Sequence, residues 1–191
     1  DTNVETGTVQ QATARRIPLP DDSLDFLVTD PPYYDAVPYS ALSDLCYVWL
    51  KRTLLGTHPS LFASKLTTND EEIVVDRPHK DSESRKNVQF YEERLTEAFA
   101  GCRRALRPGG VCVVMFASKT TSAWEATLSS IVEAGFVVTA SWPMDTERAS
   151  RMQAHNRAVL DSTVHLVCRP RENPDGTLRD TDVGDWREIL A

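Results

Sequence analysis

The sequence predicts an α/β protein whose sheet runs mostly parallel and closes with an antiparallel strand pair. Three observations predict it. Short apolar runs at Leu24 to Thr29, Val111 to Ala117, Phe136 to Trp142 and Ser162 to Arg169 alternate with segments of helical spacing. That alternation is the pattern of a parallel sheet covered by helices in three layers. The last two runs have no obvious long crossover helix between them, and strands joined without one pair antiparallel. Finally, 191 residues with 41% hydrophobic content suit one domain, or a large piece of one, with an ordinary core.

The elements follow in order. Residues 1 to 9 are polar, Arg15 to Pro20 reads as a loop, and Asp21-Asp22-Ser23 as a turn. Leu24 to Thr29 is nearly all apolar, as in a strand buried on both faces. Ser40 to Leu55 carries apolar residues at 42, 45, 46, 49, 50 and 54, which is helical spacing, with Trp49 expected in the core. Thr57 to Lys86 is rich in charge, Ser, Thr and Pro and reads as a mobile insertion, of the kind that often forms a lid beside a site. Val88 to Leu106 is a helix ended by Arg107-Pro108-Gly109-Gly110, and Val111 to Ala117 a second buried strand. Ser122 to Glu133 is a helix stopped at Gly135, ahead of the strand Phe136 to Trp142. Glu147 to Leu160 is a loop or short helix, and Ser162 to Arg169 the last strand. The domain is expected to span 1–171, with 172–191 a polar tail in which Asp182 to Leu190 adds a short helix.

Composition excludes several classes. No apolar run approaches the roughly 20 residues of a membrane span, and the opening Asp-Thr-Asn-Val-Glu does not read as a signal peptide. A formal charge of −7 argues against holding nucleic acid by net field, though not against a local basic patch. Cys46, Cys102, Cys112 and Cys168 form no CxxC pair, and no histidine has a partner at metal-ligand spacing, so no metal site is expected. Cys112 and Cys168 lie in apolar runs and read as buried free thiols, in keeping with a reducing cytoplasm.

The chemistry concentrates at Asp30-Pro31-Pro32-Tyr33, directly after the first strand. Ligands of open α/β sheets bind at the carboxyl ends of strands. Each proline lacks an N–H, fixes φ and forces the residue before it to be extended. A carboxylate oxygen and a free backbone carbonyl are thereby brought together. Two acceptors side by side suit an amino group, and Tyr33 offers a flat face to whatever carries it.

The tetrapeptide is the signature of amino-methyltransferases that use S-adenosylmethionine. The match is longer than four residues. Asp30 through Arg52 (DPPYYDAVPYSALSDLCYVWLKR) resembles the bacterial and archaeal adenine-specific DNA methylases whose longer members carry a zinc-ribbon. Lys119-Thr120-Thr121 with Trp124-Glu125, Ala140 to Arg148, and Ser162 to Pro170 resemble the same family, so the likeness covers about Gln10 to Arg171. It implies the C-terminal half of a Rossmann-like class I methyltransferase sheet, which ends in an antiparallel pair. It also implies methyl transfer from S-adenosylmethionine to adenine N6 in DNA, in restriction or phage defence. In the implied mechanism the base is flipped out of the duplex. Asp30 and the Pro31 carbonyl accept hydrogen bonds from its amino group, and Tyr33 stacks on it. Asp at the first position, rather than the Ser of related cytosine enzymes or the Asn of glutamine enzymes, favours adenine.

Other positions follow from the same resemblance. Tyr34, Tyr39 and Asp44 are candidates for the base pocket, together with Asp35 and Ser43. Lys119 and Thr120 are candidates for substrate contact at the rim of Asp30, where Thr120 competes with Ser122 for the role of helix N-cap. Arg148, with Arg151 and Arg157, is a candidate phosphate contact. Two features of the family depart here. None of the eight glycines forms GxG. Where relatives have Gly-Asp-Ala near the cofactor adenine, this chain has Ala12-Thr13-Ala14, and Thr13 cannot supply a carboxylate. The expectation is that the chain is the C-terminal part of such an enzyme, with one edge of the Asp30 strand open unless a missing N-terminal half or a second copy covers it. RNA methylation and a non-catalytic nucleic-acid-binding role stand as alternatives.

Overall fold

A computed structural model describes residues 7, 12–34, 38–75, 86–118, 120–145 and 162–177. Among them are β1 (Leu24–Thr29), α1 (Tyr39–Leu54), α2 (Val88–Ala105), β2 (Leu106–Phe116), α3 (Thr121–Glu133), β3 (Phe136–Asp145) and β4 (Ser162–Pro170). The chain forms two compact units, Asp1–Pro31 with Glu93–Ala191, and Pro32–Glu92.

The first unit is built on a four-stranded sheet of order β1-β2-β4-β3. β1 runs parallel to β2, whereas β4 lies antiparallel between β2 and β3. The closing antiparallel pair is the one expected for the C-terminal half of a Rossmann-like class I methyltransferase sheet.

Register explains the core. Leu27 pairs with Cys112, Cys112 with Cys168, and Cys168 with Val138, so these four share one face. Val114, Phe116 and Leu166 lie on it too, all fully buried. α3 sits on this face. Its Trp124 ring meets Phe116 edge-on at 4.9 Å between centroids, and Ala123, Ala126 and Ile131 are buried at helical spacing. α2 buries Leu95, Ala98, Phe99, Cys102 and Ala105, again the i, i+3, i+4, i+7 pattern.

The opposite face departs from the expectation of a sheet covered on both sides. Phe26 is 57% and Val28 53% exposed, and Val111, Val113, Met115 and Val167 are only half-buried. Trp142 and Met144 at the far end are also exposed. Nor does β1 have a strand on its second edge among the described residues. An all-apolar run identifies a strand that can be buried on both faces, not one that is.

Element boundaries shift for identifiable reasons. β2 begins at Leu106, directly after α2, and takes in the Arg-Pro-Gly-Gly segment read as a helix stop. Pairing passes from Leu24↔Leu106 to Phe26↔Val111, so the extra residues form a bulge, a place where a paired strand tolerates a proline such as Pro108. The last carbonyls of α2 are satisfied by the turn before β1, where Asp22 N–H donates to Arg104 O and Ser23 N–H to Ala105 O. Arg104 also donates to the carbonyls of Ile17 and Leu19 and pairs with Asp21. β3 continues through Pro143 to Asp145, at the edge of the sheet, where proline costs no ladder bond. α3 stops as read from sequence, with Gly135 at φ +89° just past its end.

In the second unit α1 runs beside the segment 57–75. Ser40 N–H and Oγ donate to the Glu72 carboxylate. Thr67 N–H and Oγ1 donate to Asp44 Oδ1. Tyr47 Oη and Lys51 Nζ both donate to Ser64 O. Residues 57–75 of the expected insertion are thus tied along one face of α1, and 76–85 lie outside the described residues. Trp49, expected in the core, is 61% exposed, because the face of α1 tied to residues 64–72 is its polar one.

Candidate active site

β3 is antiparallel to β4 and β4 to β2, so β3 runs parallel to β1 and β2. The carboxyl ends of all three, and the amino end of β4, therefore fall on one rim of the sheet. Asp30 stands there exposed, one residue past β1, and Pro31 is buried beneath it. Ala117, Ser118 and Thr120 follow β2 on the same rim, and Trp142 to Asp145 complete it from β3. Of the expected rim residues, Lys119 and Arg148 lie outside the described residues, as do Asp35, Arg151 and Arg157.

Thr120 occupies the N-cap position of α3 with extended backbone (φ −106°, ψ 133°), but its hydroxyl makes no capping hydrogen bond. Its backbone N–H is donated to Ser118 Oγ at 3.2 Å. Trp124 Nε1 donates to Ser118 O at 3.0 Å, which anchors this corner to the helix.

In the second unit, Pro32, Tyr33 and Tyr34 are half-buried. Three of the contacts that hold their turn are these. Tyr91 is fully buried, and its hydroxyl donates to Pro32 O at 2.7 Å. The Tyr34 ring meets Tyr91 edge-on at 5.3 Å. Val75 N–H donates to Tyr34 O at 3.3 Å, so the returning end of the 57–75 segment also holds the turn. Tyr39 is exposed on α1, and the carboxylate of Asp44 is engaged by Thr67. Ser43 is exposed.

Thr13 belongs to the first unit. It lines a shallow cleft of about 570 Å³ with Arg15, Arg16, Glu97, Ala100, Gly101 and Arg104. Arg15 reaches Glu97 at 3.1 Å, and hydrogen bonds from Arg94 and Arg15 hold the Glu97 carboxyl below its ordinary range.

Sequence reasoning passed over Tyr91, Glu72, Thr67 and Tyr47. Tyr91 continues the apolar stripe of α2, four residues before Leu95, and so reads as core; nothing in the sequence says where its hydroxyl goes. The partners Glu72 and Thr67 are separated from Ser40 and Asp44 by 32 and 23 residues, beyond any local pattern.

No protein-family model matches the chain, and no curated protein matches it. Solved structures do. One is a Thermus thermophilus protein assigned as a DNA modification methylase, complexed with S-adenosyl-L-methionine. It is 14% identical over 88% of this chain and 54% of its own length, with a TM-score of 0.41. The [4+2]-cyclase SpnF is 12% identical over 84% of this chain and 56% of its own, with a TM-score of 0.40. M1.HpyAVI in complex with SAM is 16% identical over 78% and 54%, with a TM-score of 0.34. The chain spans about half the length of each of these structures.

Proposed function

We propose that this chain carries the amine-presenting part of an S-adenosylmethionine-dependent methyltransferase that acts on adenine N6 in DNA. The observation that carries the reading is Asp-Pro-Pro-Tyr at the carboxyl end of a strand in a parallel pair, with Asp30 exposed and Pro31 buried. The Asp30 carboxylate and the Pro31 carbonyl accept the two N–H groups of the flipped adenine. Tyr33 stacks on the base, an interaction worth roughly 1–3 kcal/mol. Accepting both hydrogens draws the nitrogen lone pair out of conjugation with the ring and stabilises the positive charge that develops on nitrogen. The amine becomes more acidic as it reacts, so a weak carboxylate base suffices. Asp30 is exposed, and the released proton passes from it to water.

Tyr34 and Asp44 are proposed for the base side of the site, and Lys119, Thr120 and Arg148 for the nucleic-acid backbone. A helix N-terminus suits an anionic group, and the Thr120 hydroxyl stands there, 3.3 Å from Ser118 Oγ. The cofactor, when bound, supplies an electrophilic methyl group on a sulfonium. The residues at its expected adenine contact fit it poorly. Thr13 offers a hydroxyl where a carboxylate is called for, and Arg15, Arg16 and Arg104 around it present cations. The chain's own residues therefore account for the acceptor half of the reaction.

The test is transfer of labelled methyl groups from S-adenosylmethionine by the whole protein to DNA and to RNA, with Asp30→Ala alongside. The expected result is N6-methyladenine in DNA and a loss of about 10²–10³-fold in the variant, the scale of one aligned charge-stabilising group. Label in RNA alone would move the reading to RNA. A DNA mobility shift without cofactor, with no transfer and no effect of Asp30→Ala, would make the chain a nucleic-acid-binding module.

A further inference from the structure

Helix α1 is turned inside out. Its polar residues Ser40, Asp44, Tyr47 and Lys51 recur at three- and four-residue spacing and so share one face. That face is the one tied to Ser64, Thr67 and Glu72. About half a turn away, at 100° per residue, lie Tyr39, Leu42, Leu45, Cys46 and Trp49. All five are exposed, Leu45 at 71%, and no residue of α1 is buried. An ordinary amphipathic helix buries its apolar stripe. Here six hydrogen bonds on the polar face hold the stripe outward, so it cannot roll inward without breaking them.

We propose that this stripe pairs with the same stripe of a second copy of the chain. The first reason is symmetry. Leu42 and Trp49 stand equally far from the midpoint between Leu45 and Cys46, and Tyr39 and Arg52 stand equally far outside them. A two-fold axis through that midpoint, with the helices antiparallel, sets Leu42 of each copy against Trp49 of the other. It also sets Tyr39 of each against Arg52 of the other. An isologous contact needs this kind of self-matching. No like charges meet, because Arg52 faces a ring instead of its own copy and Asp44 is turned to Thr67. Arg52 already lies 5.3 Å from the Trp49 ring centroid, and Trp, Tyr and Arg are the residues that dominate interface energetics.

The second reason is area. Two aromatic rings more than half exposed and three smaller apolar side chains present on the order of 600 Å². A standard interface takes about 800 Å² per partner, the remainder being polar rim, which Ser43, Arg52 and Thr53 supply. Nothing in this pairing depends on the reaction proposed above.

The experiment is sedimentation velocity of the full chain over a dilution series, with Leu45→Glu and Phe26→Glu compared. Cys46 provides a second readout. It stands beside the proposed axis and is the one exposed cysteine of the four. Mild oxidation should yield disulfide-linked dimers that Cys46→Ser abolishes. The expected result is a reversible dimer whose dissociation constant rises at least about tenfold, or about 1.4 kcal/mol, in Leu45→Glu, with an unchanged circular dichroism spectrum. A chain that is monomeric throughout and forms no linked dimer overturns the proposal. So does a dimer that survives Leu45→Glu and is lost in Phe26→Glu, which would place the contact on β1.

Discussion

At the scale of single residues, the turn after β1 is shaped by groups that do no chemistry. Proline supplies the rigidity, and that much is legible in four letters of sequence. The grip on the turn is not. Tyr91 donates to Pro32 O from a fully buried position, and leaving that half-buried carbonyl without its donor costs on the order of 1–2 kcal/mol. Tyr91→Phe keeps the ring contact to Tyr34 and removes only the hydroxyl. The expected outcome is a fall in unfolding free energy of about 1–2 kcal/mol in urea titration. On the reaction proposed above, Tyr91→Phe should lower the rate of methyl transfer more than it weakens binding of DNA, because a loosened turn misaligns the acceptors without removing the stacking ring. Equal losses in both would make Tyr91 a residue of stability alone. Asp44 teaches the complementary lesson. The resemblance proposes it for the base pocket, and what fixes its carboxylate is Thr67, 23 residues away and invisible to any local pattern.

At the scale of elements, most of the fold was legible because each strand and helix writes its period locally. All seven elements were expected, with helix ends within a residue or two of their observed places. What periodicity cannot give is which face is buried. In α1 the stripe through Leu42 and Trp49 was legible, and its exposure was not, because the competing partner is a polar segment distant in sequence. The start of β2 was misread for a different reason: Pro-Gly-Gly after a helix is a stop signal in isolation, and pairing with β1 overrides it. Gly110 shows what that pairing demands. A Cβ placed there would lie 2.6 Å from Leu106 Cδ1 and 3.0 Å from Arg107 O. Leu106 is fully buried and cannot swing away into solvent. Gly110→Ala should therefore destabilise the chain by about 1–3 kcal/mol, the usual cost of overpacking. Gly109→Ala, whose nearest neighbour is Pro174 Cγ at 3.6 Å, should cost clearly less. Thermal unfolding of the two variants side by side makes the comparison; equal shifts would mean that the bulge relaxes freely.

At the scale of the whole molecule, the two units differ in what holds them. The sheet unit has an apolar core in which Cys102, Cys112 and Cys168 are all buried free thiols. The other unit carries only Cys46, which is exposed, and leans on hydrogen bonds between α1 and residues 64–72. This difference sets a pH dependence. Burial pushes the Cys102 thiol from an ordinary 9.0 up to about 11 and the Cys168 thiol up to about 12. Cys112 is raised further, first by burial and then by its neighbours Cys168 and Cys102. A raised folded pKa means that the native state keeps a proton the unfolded chain gives up. The associated stability is complete below pH 9.0 and is lost as pH rises through 11 and 12. Unfolding free energy should therefore fall steeply above about pH 9, and replacing the buried pair by Cys112→Ala and Cys168→Ala should flatten that slope while lowering stability at neutral pH through the cavities left behind. The matching measurement is thiol titration with an aromatic disulfide reagent. At dilutions where the native chain is monomeric one thiol, Cys46, should react, and in denaturant all four. Rapid native reaction of more than one thiol would mean that the sheet core opens far more often than its burial allows, and the alkaline slope would then have to come from other groups.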